Sequence, residues 1–252
     1  MKNHVYYKTL LDLSDRTPVR QIVRGVSWTA AVLADGRTGV AMHTEGESRP
    51  RLFENLESMP ACEAAQALLS WNLEEASEGL AVVNAVYNTP ERAEAFCGPE
   101  PSGALDGLEL SQKRVGLVGH LLGHSGITRE LLAPAREVFV LERDPREGDY
   151  PDSACEYLLP GCDLVVITGS AAINKTLPRL LTLAAGAEIV LAGPSVSLCP
   201  ALLDLWIARL SGQVIRDADA MQKTIVAKRC SVNAFSRRFS LDAKKGEPHA
   251  AF

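Results

Sequence analysis

Residues 71–88, WNLEEASEGLAVVNAVYN, form the stretch around which the rest of the chain is organised. On a helix of about 100° per residue, the apolar side chains gather on one broad arc and the polar ones on the other. The apolar arc holds Trp71, Leu73, Ala76, Leu80, Val82, Val83, Val86 and Tyr87, and the polar arc holds Glu74, Ser77, Glu78, Asn84 and Asn88. The pattern predicts one long helix.

Glu75 interrupts the apolar arc of this helix, and Gly79 lies one turn away from it. A carboxylate is rarely buried without a partner. Glu75 is therefore expected to meet a cation or a hydrogen-bond donor from elsewhere in the fold, or to line a cleft. Gly79 allows a ligand or another backbone to approach this face. The alternative, weighted equally, is a partly exposed glutamate at the edge of a helix interface.

Length and composition indicate a globular protein of one or two domains, with 252 residues, 46% hydrophobic and 23% charged. The net charge of −5 does not suggest a nucleic-acid surface, which usually shows as a basic patch. No apolar run approaches the roughly 18 residues of a membrane span. The N-terminus lacks a signal-peptide core, so a cytoplasmic protein is expected. The six cysteines form no CxxC pair, which argues against a zinc ribbon or redox dithiol.

The chain divides into two predicted domains. Residues 1–98 form a small α+β domain, residues 99–112 a linker containing part of GPEPSG, residues 113–240 a doubly wound α/β domain, and residues 241–252 a mobile tail. The first domain is expected to hold a helix in 1–15, strand patterns in 19–33 and 38–43, and helices over 61–69 and 71–88. In the second, strands at 114–118, 138–141, 164–168, 189–191 and 213–215 alternate with helices near 127–132, 153–159, 175–184, 201–209 and 218–228.

The predicted strand ends of the second domain share small and polar residues. In parallel sheets of this kind, ligands bind outside the carboxyl ends of the strands. The four ends are Gly119-His120, Glu142, Thr168-Gly169-Ser170 and Gly193-Pro194-Ser195. Small residues admit a ligand close to the backbone, and hydroxyls and helix N-termini favour anions. Short loops of this type also use Gly, Ser and Pro for their turns alone, so both interpretations stay open.

Two histidines and a glycine pattern follow the first of these strands. Gly116, Gly119 and Gly123 make GxxGxxxG rather than the dinucleotide-binding GxGxxG, so NAD is not expected. His120 and His124 are four residues apart and can share a helix face that binds metal, but no third ligand is evident. His120 alone is the stronger candidate because it lies at a strand end. It can ligate metal or move protons, or be a hydrogen-bonded structural histidine.

Two further segments carry candidate ligand-binding groups. Asp149 and Tyr150 precede the helix near 153–159 and can reach the cleft, or serve capping and packing alone. Asn174 and Lys175 open the next helix, where Lys175 can counter Glu75 or a bound anion, or stay solvated. Neither a GxSxG elbow nor a Walker-type loop occurs in the sequence, which argues against a standard hydrolase or NTPase.

Three segments carry a resemblance to a known family: residues 71–88, VGLVGH at 115–120, and LERDPREGDYPDSACEYLLPGCDLVVITGSAAINKTLPRLL at 141–181. Over roughly residues 19–229 the chain resembles the bacterial and archaeal family described as "putative heavy-metal chelation". The resemblance implies an enolase-N-terminal-like domain before a Rossmann-like domain, an active site in the cleft between them, and a link to anaerobic cobalamin-type metabolism. The matching positions are Glu75, Asn84, Asn88, His120, Glu142, Asp149, Tyr150, Thr168, Asn174 and Lys175.

These observations lead to one site prediction and three hypotheses about its function. Glu75 is expected to face the strand ends that carry His120, Thr168 and Ser170. In the first hypothesis the cleft binds a divalent transition metal or a metal-bearing small molecule, with Glu75 and His120 as metal ligands. In the second, the protein is an enzyme acting on a small anionic metabolite, with Glu75 or His120 as acid or base. The third is a pure interaction module.

The predicted catalytic set is Glu75, His120 and Lys175. The predicted ligand-binding set is Asn84, Asn88, Glu142, Asp149, Tyr150, Thr168, Gly169, Ser170, Asn174, Gly193 and Ser195. The expected partner is a small-molecule or metal ligand, with no nucleic acid and no membrane, and a homo-oligomer stays open.

Overall fold

A computed structural model describes residues 4–45, 49–123, 125–225 and 231–243 of the protein. The N-terminal part contains an antiparallel meander in the order β1-β2-β3, in which the pattern predicted over 19–33 is divided into two strands. Its elements are α1 Val5–Leu10, β1 Val19–Arg24, β2 Trp28–Leu33, β3 Thr38–Met42, α2 Ala61–Ala64, a 3₁₀ helix at Ala65–Leu69, α3 Leu73–Tyr87 and α4 Pro90–Cys97.

The C-terminal part is built on a larger, mostly parallel sheet. Its elements are β4 Arg114–Val118, α5 Arg129–Leu132, β5 Glu137–Glu142, β6 Tyr150–Pro151, α6 Cys155–Leu158, β7 Leu164–Thr168, α7 Leu177–Leu183, β8 Glu188–Ala192, β9 Ile207–Ile215, α8 Ala218–Ile225 and β10 Ser236–Asp242. The strand order is β10-β9-β8-β7-β4-β5-β6, and only the β10 pairing is antiparallel. Counted from β4, the parallel strands lie in the order 3-2-1-4-5-6 of doubly wound folds, which reverses between β4 and β7.

Both faces of the large sheet are buried, which confirms the predicted α/β class. Val115, Leu117 and Val166 belong to one apolar cluster, whereas their neighbours Val165 and Ile167 belong to another. Successive side chains of a strand point to opposite faces, so each face has its own apolar cover. The second cluster also contains the buried residues of α3.

Helix α3 is buried on nearly all sides, because the antiparallel sheet, the 3₁₀ helix and the large sheet surround it. Most of the polar arc is buried, since Ser77, Glu78 and Asn84 are each at most 1% exposed, whereas Trp71 of the predicted apolar arc precedes the helix and is 56% exposed. Asn72 caps the N-terminus, since its Oδ1 accepts a hydrogen bond from the Glu75 backbone N–H at 3.1 Å. The apolar arc therefore packs into the core, while the buried polar residues make hydrogen bonds and ion pairs to neighbouring elements.

Some predicted elements differ from the observed ones. The helix predicted over 201–209 is wrong: Pro200–Leu205 is a 3₁₀ helix, Trp206 has φ +60°, and β9 starts at Ile207. Helix α4 was not predicted, because Pro90 was interpreted only as the end of α3. Thr89 caps α4 and Pro90 occupies its first turn, where the missing N–H costs nothing.

Two further observations concern the predicted linker and the predicted tail. Residues 99–112 contain neither helix nor strand, yet Leu105 and Leu110 are buried in the core. Strand β10 continues to Asp242 and so includes the first two residues of the predicted tail, while residues 244–252 lie outside the described part. Among the described residues, no helix has the length and apolar character needed to cross a membrane.

Candidate functional site

A cleft of about 650 Å³ opens at the carboxyl ends of β4, β5 and β7, beside the point where the strand order reverses. This is where doubly wound sheets bind ligands. Met42 and Thr44, at and beyond the end of β3, also line it. The other lining residues are Val118, Gly119, His120, Leu141, Glu142, Arg143, Asp144, Asp152, Ser153, Cys155, Glu156, Thr168, Ser170, Ala171, Asn174, Lys175, Thr176, Arg179, Leu180 and Leu183.

His120 and Glu142 are joined at the ends of β4 and β5. The His120 backbone N–H donates to Glu142 Oε1 at 3.0 Å, and the Arg143 backbone N–H donates to Oε2 at 2.6 Å. Glu142 thereby holds the turn after β4 in place. The His120 imidazole makes no hydrogen bond to any other residue in the described ranges, so both ring nitrogens are available to a ligand.

Gly119 permits the close approach of β4 and β7 at the floor of the cleft. It has φ +100°, and a Cβ here would lie 2.6 Å from Thr168 Cγ2. A side chain would therefore be excluded by both backbone conformation and space. Thr168 Oγ1 and Ser170 Oγ, 3.1 Å apart, form a pair of hydroxyls on this wall. Such hydroxyls can both donate to and accept from a bound molecule.

Lys175 lies on the same wall, in the turn before α7, with φ +69°. Its Nζ donates to the Leu68 carbonyl oxygen and lies 5.8 Å from the centre of the Tyr7 ring. Burial lowers the pKa of Lys175 to about 7, because the charged form loses hydration. Of the alternatives given for Lys175, the pairing with Glu75 is not found, since the amine donates to the Leu68 carbonyl instead.

Glu75 does not line the cleft, so the prediction that it faces the strand ends is wrong. Its carboxylate accepts backbone hydrogen bonds from Leu52 at 2.9 and 2.7 Å and from Phe53 at 2.8 Å, and it is fully buried. The expectation of a donor from elsewhere in the fold is confirmed. Glu75 therefore holds residues 52–53 in place. The helical pattern of residues 71–88 could not reveal these partners, because they lie outside the helix.

Several other predicted ligand-binding residues make internal contacts instead of lining the cleft. Asn84 and Asn88 tie α3 to β3 and to residues 196–198. Ser195 Oγ accepts the Met42 backbone N–H at 2.8 Å, and Gly169 and Gly193 are absent from the lining. Asp149 bonds the Arg146 backbone N–H, and the exposed Tyr150 packs edge-on against Phe139. The site therefore retains His120, Glu142, Thr168, Ser170, Asn174 and Lys175 of the predicted sets.

The cleft wall formed by residues 152–156 was not predicted from the sequence. The strand β6 that precedes it is two residues long and leaves no detectable strand pattern. Since β6 is parallel to β5, the residues after it reach the same edge of the sheet. Burial, together with the nearby Asp152 carboxylate, raises the pKa of the Cys155 thiol to about 11. The raised pKa favours the protonated thiol near neutral pH, which is the less nucleophilic form.

The donor set does not fit a bare metal ion. In the ranges the structure describes, there is no group of three or more His, Cys, Asp or Glu side chains arranged to hold one. Glu75 and His120 are not brought together, and His124 lies outside the described residues. A protein site that encloses a transition metal supplies about three or four ligands.

The fold and cleft define a doubly wound α/β protein with a ligand-sized cavity at its strand ends. The family model described as "Putative heavy-metal chelation" matches residues 104–243, and a second model with the same description matches residues 7–87. The chain belongs to this family, DUF364. The predicted resemblance is thus confirmed, although the family description carries no site residues.

Two crystal structures from the DUF364 family, both of proteins described as having unknown function, are similar to the chain. The one from Desulfitobacterium hafniense DCB-2 has a TM-score of 0.83 and 32% identity, covering 94% of this chain and 98% of that one. The one from Pyrococcus horikoshii has a TM-score of 0.72 and 21% identity, covering 96% and 100%, and shares the fold. No curated protein matches the chain.

Proposed function

We propose that the cleft binds a small molecule that carries a metal already held by its own ligands, with His120 providing the protein ligand to that metal. The observation that carries this proposal is the His120 imidazole, which lines a 650 Å³ cleft without a hydrogen-bond partner in the described chain. The metal is cargo brought by the ligand. The family description of heavy-metal chelation supports a metal-related role.

The size and position of the cleft support a small molecule rather than a bare ion. Ligand pockets in proteins typically measure about 300–1,000 Å³. A metal bound by an organic chelator has most of its coordination positions filled, so one imidazole can complete the shell. Histidine is the commonest metal ligand in its neutral form.

Other groups of the cleft suit the organic part of such a molecule. The hydroxyls of Thr168 and Ser170 can donate to carboxylate or carbonyl oxygens, and the Arg143 side chain adds a cation at the rim. Leu141, Ala171 and Leu180 provide apolar contact. The ligand class proposed is therefore a small anionic metal chelate, linked by the family resemblance to cobalamin-type metabolism.

Nickel(II)–nitrilotriacetate, in which the chelator leaves coordination positions open, serves as the probe. Calorimetric titration of the full chain is expected to give one site that disappears in His120→Ala and persists in His43→Ala. His43 is a suitable control because it bonds Thr29 and lies outside the lining. Metal-free nitrilotriacetate should bind at least tenfold more weakly than the complex.

Equal binding by wild type and His120→Ala would overturn the role of His120. Absence of binding by the wild type at millimolar probe would overturn the proposal for chelates of this size. His120→Ala should keep the wild-type unfolding temperature, because the His120 side chain makes no hydrogen bond to the described part of the protein.

A further inference from the structure

The proposed binding of a metal chelate assigns no role to Lys175. It lies in the turn between the 3₁₀ helix at Gly169–Ala172 and α7, and its side chain crosses from the large sheet to the N-terminal part. In the described residues no carboxylate pairs with its amine. Lysine amines placed this way serve as nucleophiles, because desolvation favours the neutral form.

We propose that Lys175 is a nucleophilic amine that forms an imine with an aldehyde or ketone bound in the cleft. Lys175 is one of the residues that line the cavity, together with Ala171 and Leu180. A small carbonyl compound that enters the cleft would therefore contact the Lys175 residue. This function goes beyond chelate binding and requires no metal.

The contacts of the amine leave a lone pair for reaction. Nζ donates a hydrogen to the Leu68 carbonyl, and the Tyr7 ring covers another side at 5.8 Å. Tyr7 is itself fixed, because its hydroxyl donates to the Ala172 carbonyl at 2.7 Å. A carbonyl acceptor orients a neutral amine without protonating it. Since burial brings the pKa of Lys175 to about 7, roughly half of the amine is neutral at pH 7.

The backbone at Lys175 is consistent with a functional position. Its φ of +69° lies in the left-handed region, which is uncommon for a residue with a side chain. Such conformations are strained and concentrate at functional sites. Here the conformation turns the chain sharply before α7.

Imine formation requires only the amine and the carbonyl compound, and it releases one water molecule. The Nζ lone pair attacks the carbonyl carbon, the C–N bond forms as the C=O π bond breaks, and one amine proton passes to the oxygen to give a neutral carbinolamine. The C–O bond then breaks, the hydroxyl takes the second amine proton and leaves as water, and the C=N bond of the imine forms. No electrons are gained or lost overall. Thr168 and Ser170 hydroxyls on the same wall can hydrogen-bond the carbonyl oxygen and the departing water.

Trapping with sodium cyanoborohydride tests the proposal on the metal-free full chain. Propanal and pyruvate are the probes, at pH 7, with adducts assigned to each of the eight lysines by peptide mass spectrometry. An ordinary lysine of pKa near 10.4 is neutral in only about 0.04% of molecules at pH 7, whereas the lowered pKa of Lys175 gives it a far larger neutral fraction. Lys175 is expected to be modified at least tenfold faster than Lys113 or Lys223.

Two variants control the experiment. Lys175→Arg removes the reactive amine while keeping a donor for Leu68, and should lose the fast adduct. Lys113→Arg alters a lysine paired with Glu188 at 2.9 Å and should leave the fast adduct unchanged. Modification of Lys175 no faster than that of Lys113 in the wild type would overturn the proposal, and this comparison does not depend on either variant folding. It is also independent of nickel–nitrilotriacetate binding, so the two proposals can fail separately.

Discussion

At the scale of single residues, α3 holds two buried carboxylates that are satisfied in different ways. Glu75 is bound by backbone N–H groups, whereas Glu78, one turn later, is bound by the guanidinium groups of Arg24 and Arg51. Burial by itself would raise the pKa of Glu78, but the hydrogen bonds and charges of Arg51 and Arg24 outweigh it and hold that pKa below its ordinary value. Glu78 therefore contributes stability in its charged form.

Glu78→Gln is expected to lower the free energy of unfolding by about 1–3 kcal/mol at pH 7, less than a fully buried pair because Arg24 is partly exposed. The sign with pH follows from the lowered pKa: the stabilisation is complete above the unfolded value near 4.5 and is lost as pH falls through the folded value. Urea titrations at pH 7 and pH 3.5 should show that the difference in the free energy of unfolding between wild type and Glu78→Gln is smaller at the lower pH.

Glu63→Gln is the matched control for this measurement. Its ion pair with Arg16 is 3.6 Å long and exposed on both sides, so its removal should change stability by less than about 0.5 kcal/mol. A Glu78→Gln effect as small as this control, or one that grows as the solution becomes acidic, would contradict the assignment.

At the scale of elements, Gly79 is the point where α3 meets the preceding 3₁₀ helix. A Cβ on Gly79 would lie 2.1 Å from the Leu68 backbone nitrogen and 2.7 Å from the Ala67 carbonyl carbon. The sequence analysis allowed a ligand or another backbone at this face, and the structure places backbone there. Because both neighbours are main chain, they cannot move aside independently.

Gly79→Ala is expected to destabilise the protein by about 3 kcal/mol or more, since overpacking here displaces backbone. Gly186→Ala is the control, because nothing lies within 4 Å of the added methyl group and its φ is not left-handed. Chemical denaturation of both variants measures the difference. Comparable unfolding midpoints for the two variants would show that the helices separate easily at Gly79.

Asn88 anchors the end of α3 to the large sheet. Its Nδ2 donates to the carbonyls of Val196 at 2.8 Å and Gln213 at 3.1 Å, and its Oδ1 accepts the Leu198 N–H at 2.8 Å. Asn88 is 2% exposed, so these groups have no solvent to replace the side chain. The Asn88 amide therefore satisfies three backbone groups. This structural role explains the asparagine at the end of α3 better than ligand binding does.

Asn88→Ala is expected to cost about 2–4 kcal/mol of stability, because three buried backbone groups lose their partner. Asn55→Ala removes only an exposed bond to the Glu57 N–H and should cost well under half as much. Thermal and urea unfolding would measure both. Similar losses for the two variants would argue that the anchor is not energetically important.

At the scale of the whole molecule, one apolar cluster spans both sheets, containing Leu10, α3 residues such as Leu80, and Ile167 and Leu210 of the large sheet. Differential scanning calorimetry is therefore expected to show a single unfolding transition, with calorimetric and van't Hoff enthalpies in a ratio close to one. Two resolved transitions would indicate that the N-terminal part and the large sheet unfold independently.

Features set by residues close together in the sequence could be predicted, whereas features set by contacts between distant residues could not. The strands β4, β5, β7 and β8 could be found from short apolar runs, and His120, Glu142 and Thr168 from their position after those runs. The wall at residues 152–156 could not, because a two-residue strand leaves no periodic signal. The helix predicted at 201–209 failed because pairing with β8 and β10 overrides local preference from Ile207 onward.

The sequence by itself determined the α/β class, the long helix around residues 73–87, and that His120, Glu142 and Thr168 meet at the ends of parallel strands. These features depend on local periodicity and on a rule of sheet geometry. Only the tertiary structure decided that Glu75 is bound by the backbone at Leu52 and Phe53, and that Lys175 is desolvated against Tyr7. The physical reason is that hydrogen-bond satisfaction and hydration depend on partners far away in the chain, which no local pattern encodes.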